Sequence, residues 1–265
     1  MKDHSRSGVD RFDSWFRIPS PGYTIFWVMP ETWLDPFTFI SSWIMENTRE
    51  ADLVVLSTRS TIDGLLEMLS HIDPSCSTHL ASMDSRLHFV DCYSSRLDLF
   101  GLPSRHRDAD IRYVVNPREH MGAGTVLGVM RELRTQGGPR GFLALEYSLS
   151  DIAVDLGEAG HVPVFSEMVL NSRSRRGTVI GIADWYSHRE IYKARLIQIS
   201  DASLLWGISS GDRKTKYILP IKRGRVNPAK RFEPKPYSIS GSDLFFSTSA
   251  TVPIQTPLAQ EDCYR

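Results

Sequence analysis

The residues best able to do chemistry in this chain fall at the ends of its apolar runs. Residues 23–29 (YTIFWVM) form one such run, and Phe37, Ile40, Ile44 and Met45 then recur at helical spacing. Between them stands Pro30-Glu31-Thr32-Trp33-Leu34-Asp35. A strand, a short loop and a helix in that order is where a nucleotide-binding α/β protein carries its phosphate loop. Such a loop needs glycines, so that backbone N–H groups can approach the phosphate oxygens, and a lysine to offset their charge. This loop has neither, and offers Glu31, Asp35 and the Trp33 indole instead. Glu146 and Asp184 close two further apolar runs, FLALE at 142–146 and TVIGIAD at 178–184. Ligands gather at the carboxyl ends of strands in an open α/β sheet, so both carboxylates could hold Mg²⁺ or orient water. The plainer alternative is that each solvates a strand end. Trp33 also has two readings: filler or partner anchor where a phosphate would lie, against core packing beneath the first helix. Glu31, Thr32, Trp33, Glu146 and Asp184 together make the candidate degenerate nucleotide site.

Other patterns carry less. Gly122, Gly124 and Gly128 form a GxGxxxG pattern, but Pro117 already opens a helix, so the glycines read as close helix–sheet packing. Arg173, Arg175 and Arg176, with Arg131, Arg134 and Arg140, would bind a phosphate backbone only if they shared one face. A solvated loop is the simpler account. The histidines show no H-x-x-x-H or H-E-x-x-H spacing, so no metal site is expected. Asp91-Cys92 within a predicted strand invites a nucleophile reading, but a buried cysteine is ordinarily inert. Residues 148–150 lack the G-x-S-x-G elbow, which argues against a hydrolase.

These groups need a scaffold. At 265 residues and 41% hydrophobic content, the chain suits one large domain, able to bury about three quarters of its unfolded surface. Lys+Arg and Asp+Glu balance at 31 each, which speaks against a dedicated nucleic-acid or membrane-surface protein. Cys76, Cys92 and Cys263 include no C-x-x-C pair, and neither a signal core nor an uninterrupted apolar span occurs; a cytoplasmic protein is expected. Strands are predicted over 23–29, 53–57, 87–93, 111–115, 142–146, 178–184, 203–209, 214–221 and 235–239. Helices are predicted from an Asp35 cap with Pro36 at the first position, from Ser60 to 69, from Pro117 to about 134, over 164–172, and briefly at 188–192, with loops at 75–85 and 94–109. Strands alternating with helices imply parallel βαβ units, and the closing run of strands implies an antiparallel meander. Residues 1–20 read as a flexible arm, 21–240 as the domain and 241–265 as a tail.

This order of elements resembles the RecA-like superfamily, with its KaiC-like branch, widespread in archaea, the nearest match. YTIFWVM stands in place of the first core strand, and ADLVVLSTRSTIDGLLEML resembles the second strand and helix. LHFVDCYS resembles a segment of signal-transduction-type members, GFLALEYSLSDI falls where the Walker B strand would be, and the ISDASLLWGISSGDRKTKYILPIKRGR segment resembles the closing pattern. The resemblance implies a RecA-like three-layer α/β/α sandwich with a mostly parallel central sheet and a C-terminal antiparallel β meander. It also implies an intersubunit role for the basic residues near the "K.RG" position: Lys222, Arg223 and, because the spacing is off by one, Arg225. Yet no G-x-x-x-x-G-K-[ST] occurs, Ser57-Thr58-Arg59-Ser60 replaces the expected glutamate, and the Walker B position ends in Glu146. Phosphoryl transfer depends on positioning and on charge neutralisation by Lys and Mg²⁺, so no catalytic residue and no cofactor is expected. The expectation is a pseudo-ATPase acting in regulation or as a scaffold, with a protein partner or as a homo-oligomer. Alternatives are a divergent ATP-binding protein with a composite intersubunit site, and a recombinase-like nucleic-acid module.

Overall fold

A computed structural model describes residues 4–5, 10–48, 51–83, 86–91, 93, 113–114, 142–209, 214–223, 233–240 and 243–247. Chain order sets the elements. A two-stranded piece (β1, His4–Ser5; β2, Ile18–Pro19) brackets α1 (Asp10–Trp15), and β3 (Gly22–Val28) leads through a 3-10 turn (Pro30–Thr32) into α2 (Asp35–Asn47). Then follow β4 (Asp52–Ser57), α3 (Ile62–Ile72), α4 (Pro74–Ser82), β5 (Leu87–Asp91), β6 (Tyr113–Val114) and β7 (Phe142–Tyr147). The C-terminal half contains α5 (Leu149–Ser174), β8 (Gly177–Asp184), α6 (Glu190–Ile199), β9 (Ala202–Ile208), β10 (Lys216–Arg223), β11 (Lys235–Ser240) and β12 (Asp243–Phe246).

Ten strands form one sheet in the order β12-β11-β10-β9-β3-β8-β7-β4-β5-β6. From β9 to β6 every pairing is parallel, and β9 through β12 pair antiparallel. The expected three layers and closing meander are therefore present. Alternation along the strands divides the core. Tyr23, Ile25 and Trp27 of β3 join the cluster under α5 and α6, whereas Phe26 and Val28 join the one under α1 to α4. Both faces are covered, which is why the parallel strands read as continuous apolar runs. Trp27, Trp43, Trp185 and Trp206 are all fully buried. At 1.5–3 kcal/mol or so for each large apolar side chain, this burial is the main stabilising term.

Several expectations need correction. The arm predicted over 1–20 is, from Asp10 onward, part of the packed molecule: Phe12, Phe16 and Ile18 are buried against Phe39 and its neighbours. The predicted tail begins with β12, paired to β11. Residues 74–82, expected as loop, form a helix capped by Asp73, whose side chain accepts from the Ser75 N–H at 2.9 Å. Only Cys76 and Leu80 of that helix are buried, too few to mark a periodic face. Thr61, not Ser60, caps α3. Asp35 is the first residue of α2 instead of its cap; it accepts from Lys216 Nζ (2.8 Å to Oδ2) and the Tyr237 hydroxyl (2.6 Å), tying the meander to the loop after β3. The helix expected over 164–172 starts at Leu149, with Gly157 at φ 68 marking a kink and Pro163 inside it. The helix expected after Pro117 and its glycines lie outside the described residues.

Candidate functional site

The carboxyl edge of the parallel strands brings together the turn after β3, the Thr58-Arg59-Ser60 bend after β4, the start of α5 after β7, and the end of β8. The turn after β3 is a tight 3-10 coil because its own backbone groups satisfy one another. The Thr32 N–H donates to Met29 O at 2.9 Å, the Trp33 N–H to Pro30 O at 3.4 Å, and the Met29 N–H to Trp206 O at 3.0 Å. Thr32 is buried, its hydroxyl directed at the Met29 (3.1 Å) and Trp206 (2.9 Å) carbonyls. A phosphate cradle presents N–H groups outward; here those of Thr32 and Trp33 are committed inward. Glu31 is exposed on the rim.

Trp33 is half-buried and lies against β7: its indole N–H donates to the Tyr147 hydroxyl at 3.2 Å. On its face sits Arg59, with Cζ 4.2 Å from the ring centroid. The guanidinium forms a fork with Asp184, Nη2 to Oδ2 at 2.9 Å and Nη1 to Oδ1 at 3.3 Å, while its Nε is 3.4 Å from Asp151 Oδ2. Burial pulls the Arg59 pKa down, but the Asp184 hydrogen bond and the charge of Asp151 more than offset this, so it lies above the ordinary arginine value. Burial likewise pushes the Tyr147 phenol up. The bend carrying Arg59 is locked to β7: the Thr58 N–H donates to Tyr147 O (2.7 Å), the Ser148 N–H to Thr58 Oγ1 (2.8 Å), and the Thr58 hydroxyl to Ser148 O (3.0 Å). The peptide bond between Tyr147 and Ser148 is cis.

Glu146 does not join this group. It lies one residue before the end of β7 and faces the α5 side, fully buried, where it accepts from the Tyr23 hydroxyl. Tyr23 reaches it from β3 across β8 because Gly181, in register with Glu146, has no side chain; a Cβ there would lie 2.5 Å from the Tyr23 oxygen. Of the candidate nucleotide-site residues, Trp33 and Asp184 are thus brought together through Arg59, Glu31 stands at the edge, Thr32 is spent on backbone carbonyls, and Glu146 belongs to the opposite layer. Lys222 caps the C-terminus of α6, donating to Ile197 O (3.0 Å), Gln198 O (2.7 Å) and Ser200 O (2.5 Å). The Arg223 side chain and Arg225 lie outside the described residues. Arg173 of the basic cluster is bound to Asp201, with Nη2 to Oδ1 at 2.7 Å.

Sequence reasoning missed Arg59 with its second carboxylate Asp151, and His188 with its partner Glu158. Arg59 drew notice only as part of the stretch replacing a glutamate. His188 drew none, although its Nε2 lies 2.8 Å from Ser150 Oγ and its Nδ1 3.4 Å from Glu158 Oε1. No local spacing announces either contact. Among the described residues no group of three or more His, Cys, Asp or Glu could hold a metal, and no helix is long and apolar enough to cross a membrane.

No protein-family model and no curated protein matches the chain. Its structure is similar to the crystal structure of a KaiC-like protein from the hyperthermophilic archaeon Pyrococcus horikoshii, with a TM-score of 0.62 and 13% identity over 92% of this chain and 98% of that one. The chain therefore has a KaiC-like, RecA-type fold, with an arginine and a tryptophan packed where its first loop meets the sheet.

Proposed function

We propose that this chain is a RecA/KaiC-like pseudo-ATPase, a protein that keeps the nucleotide-binding frame, does not turn over ATP, and works as a regulator or scaffold through protein–protein contacts. The observation that carries this reading is Arg59 stacked on Trp33 and held by Asp184 and Asp151. The Arg59 guanidinium is neutralised within the protein, as is Lys216 by Asp35, and the trio Arg59, Asp151 and Asp184 sums to one net negative charge. A triphosphate charge placed about 4 Å from an unneutralised carboxylate is repelled by roughly 4 kcal/mol at the effective dielectric of a protein surface. Micromolar binding would have to supply about 8 kcal/mol net of that term. Two large apolar side chains beside the plugged corner, Leu34 at 54% and Tyr186 at 64% exposure, favour a protein partner or a second copy as occupant of this edge.

Calorimetric titration of the full chain with Mg·ATP tests the first half. No saturable binding is expected up to millimolar nucleotide. A micromolar Kd that is lost in Asp184→Ala would refute it. Light scattering with and without a Tyr186→Ser substitution tests the second half: a strict monomer that captures no partner would count against the scaffold.

A further inference from the structure

Ser150, His188 and Glu158 come from separate places: the first turn of α5, the loop between β8 and α6, and the far side of the kink in α5. On a straight helix Ser150 and Glu158 would be about 12 Å apart along the axis; Gly157, at φ 68, interrupts the helix between them. His188 lies between the two, with Nε2 2.8 Å from Ser150 Oγ and Nδ1 3.4 Å from Glu158 Oε1. Glu158 is oriented in turn by Arg189, accepting its backbone N–H at 3.0 Å and its Nε at 2.5 Å. A carboxylate at Nδ1 places the imidazole proton there, leaving the Nε2 lone pair for the Ser150 hydroxyl. Ser150 Oγ also accepts the Asp184 N–H at 2.7 Å, so its own proton is directed to His188. The N-terminus of α5 is already capped by Ser148 Oγ, which accepts from the Ser150 N–H at 3.1 Å, so the Ser150 hydroxyl is not needed as a cap.

We propose that Ser150 is a latent nucleophile for acyl transfer on small esters, with His188 as general base, Glu158 orienting the imidazole, and the Arg59 clamp as its cover. Ser150 and His188 are 2% and 8% exposed, and the clamp adjoins them: Asp151 follows Ser150 in the chain, and Asp184 supplies the N–H that Ser150 binds. Arg59 itself is one-third exposed, at 32% of its side chain. In the reaction Ser150 Oγ forms a bond to the ester carbonyl carbon and its proton passes to Nε2 of His188. The ester C–O bond breaks as His188 returns that proton to the departing alkoxide, which leaves as alcohol. Water then attacks the acyl carbon, gives its proton to His188, and the acyl–Oγ bond breaks as Ser150 regains a proton and the acid departs.

The inference goes beyond the nucleotide reading and is independent of it. Its test is labelling of the full chain by a small fluorophosphonate, which bonds phosphorus to a serine oxygen and expels fluoride, with the modified peptide mapped by mass spectrometry. Label is expected on Ser150, faster in Arg59→Ala than in the wild type, absent in Ser150→Ala, and slowed by about a hundredfold or more in His188→Gln, the usual contribution of a general base. Circular dichroism checks the fold of each variant. If Arg59→Ala does not fold, exhaustive labelling of the wild-type chain decides the matter. A folded chain that takes no label at Ser150, or that labels there at an equal rate in folded His188→Gln, overturns the proposal and leaves the trio a structural tie between α5 and β8.

Discussion

Removing the Arg59 guanidinium should cost stability by an amount its surroundings define. The fork to Asp184 has contacts of 2.9 and 3.3 Å, with side-chain exposures of 32% for Arg59 and 18% for Asp184. An exposed ion pair is worth about 0.2–1 kcal/mol, and a buried hydrogen bond to a charged group about 1.5–3 kcal/mol. This partly exposed, bidentate pair falls between, at roughly 1–2 kcal/mol. Stacking on Trp33 at 4.2 Å adds about 0.5–1 kcal/mol. Arg59→Ala should therefore destabilise by roughly 1.5–3 kcal/mol, lowering Tm by several degrees in a chain of this size. The discriminating measurement is a double-mutant cycle of Arg59→Ala and Asp184→Asn by urea unfolding. A coupling of about 1–2 kcal/mol is expected, and it should shrink only modestly in high salt because the pair is partly shielded from solvent. A coupling below roughly 0.5 kcal/mol would refute the clamp as an energetic feature, and with it the central observation for a plugged site.

Acidification should destabilise the α5–α6 layer. His161, buried with Nδ1 against the Tyr192 hydroxyl, is pushed down to about 4 by burial and then by the nearby charge of His188; burial also lowers His188, against the opposing effect of Glu158. With folded values below the ordinary 6.5, the unfolded chain binds more protons between pH 6.5 and about 4. Stability should be fully present above pH 6.5 and fall across that window by roughly 3 kcal/mol from His161 alone; His161→Phe should flatten the urea-midpoint profile. Gly181→Ala should cost about 1–3 kcal/mol by overpacking, since the new Cβ would lie 2.5 Å from the Tyr23 oxygen and 2.7 Å from Leu149 Cδ1; thermal unfolding at neutral pH checks it. Lys222→Met, which keeps the stem but removes three hydrogen bonds to the end of α6, should cost roughly 1–2 kcal/mol in chemical denaturation, whereas an intersubunit role would appear as altered assembly at unchanged stability.

The sequence by itself determined the frame. Runs such as FLALE and TVIGIAD are apolar on both alternations, so each must be covered on two faces, and only a sheet between helix layers does that. It also determined that the first loop lacks the glycines and lysine of a phosphate cradle. Where local signals are weak or contradictory, the reading fell short: α4 buries two residues, and α5 contains Gly157 and Pro163, which break the periodicity from which its length could be read. The site was decided by tertiary structure. Strand order places β8 between β3 and β7, which lets Tyr23 take Glu146 into the opposite layer while Asp184, at the strand end, meets an arginine 125 residues away in the chain. Strand pairing and pleat direction choose which side chains face one another. These follow from packing whole elements together, and no window of neighbouring residues contains them.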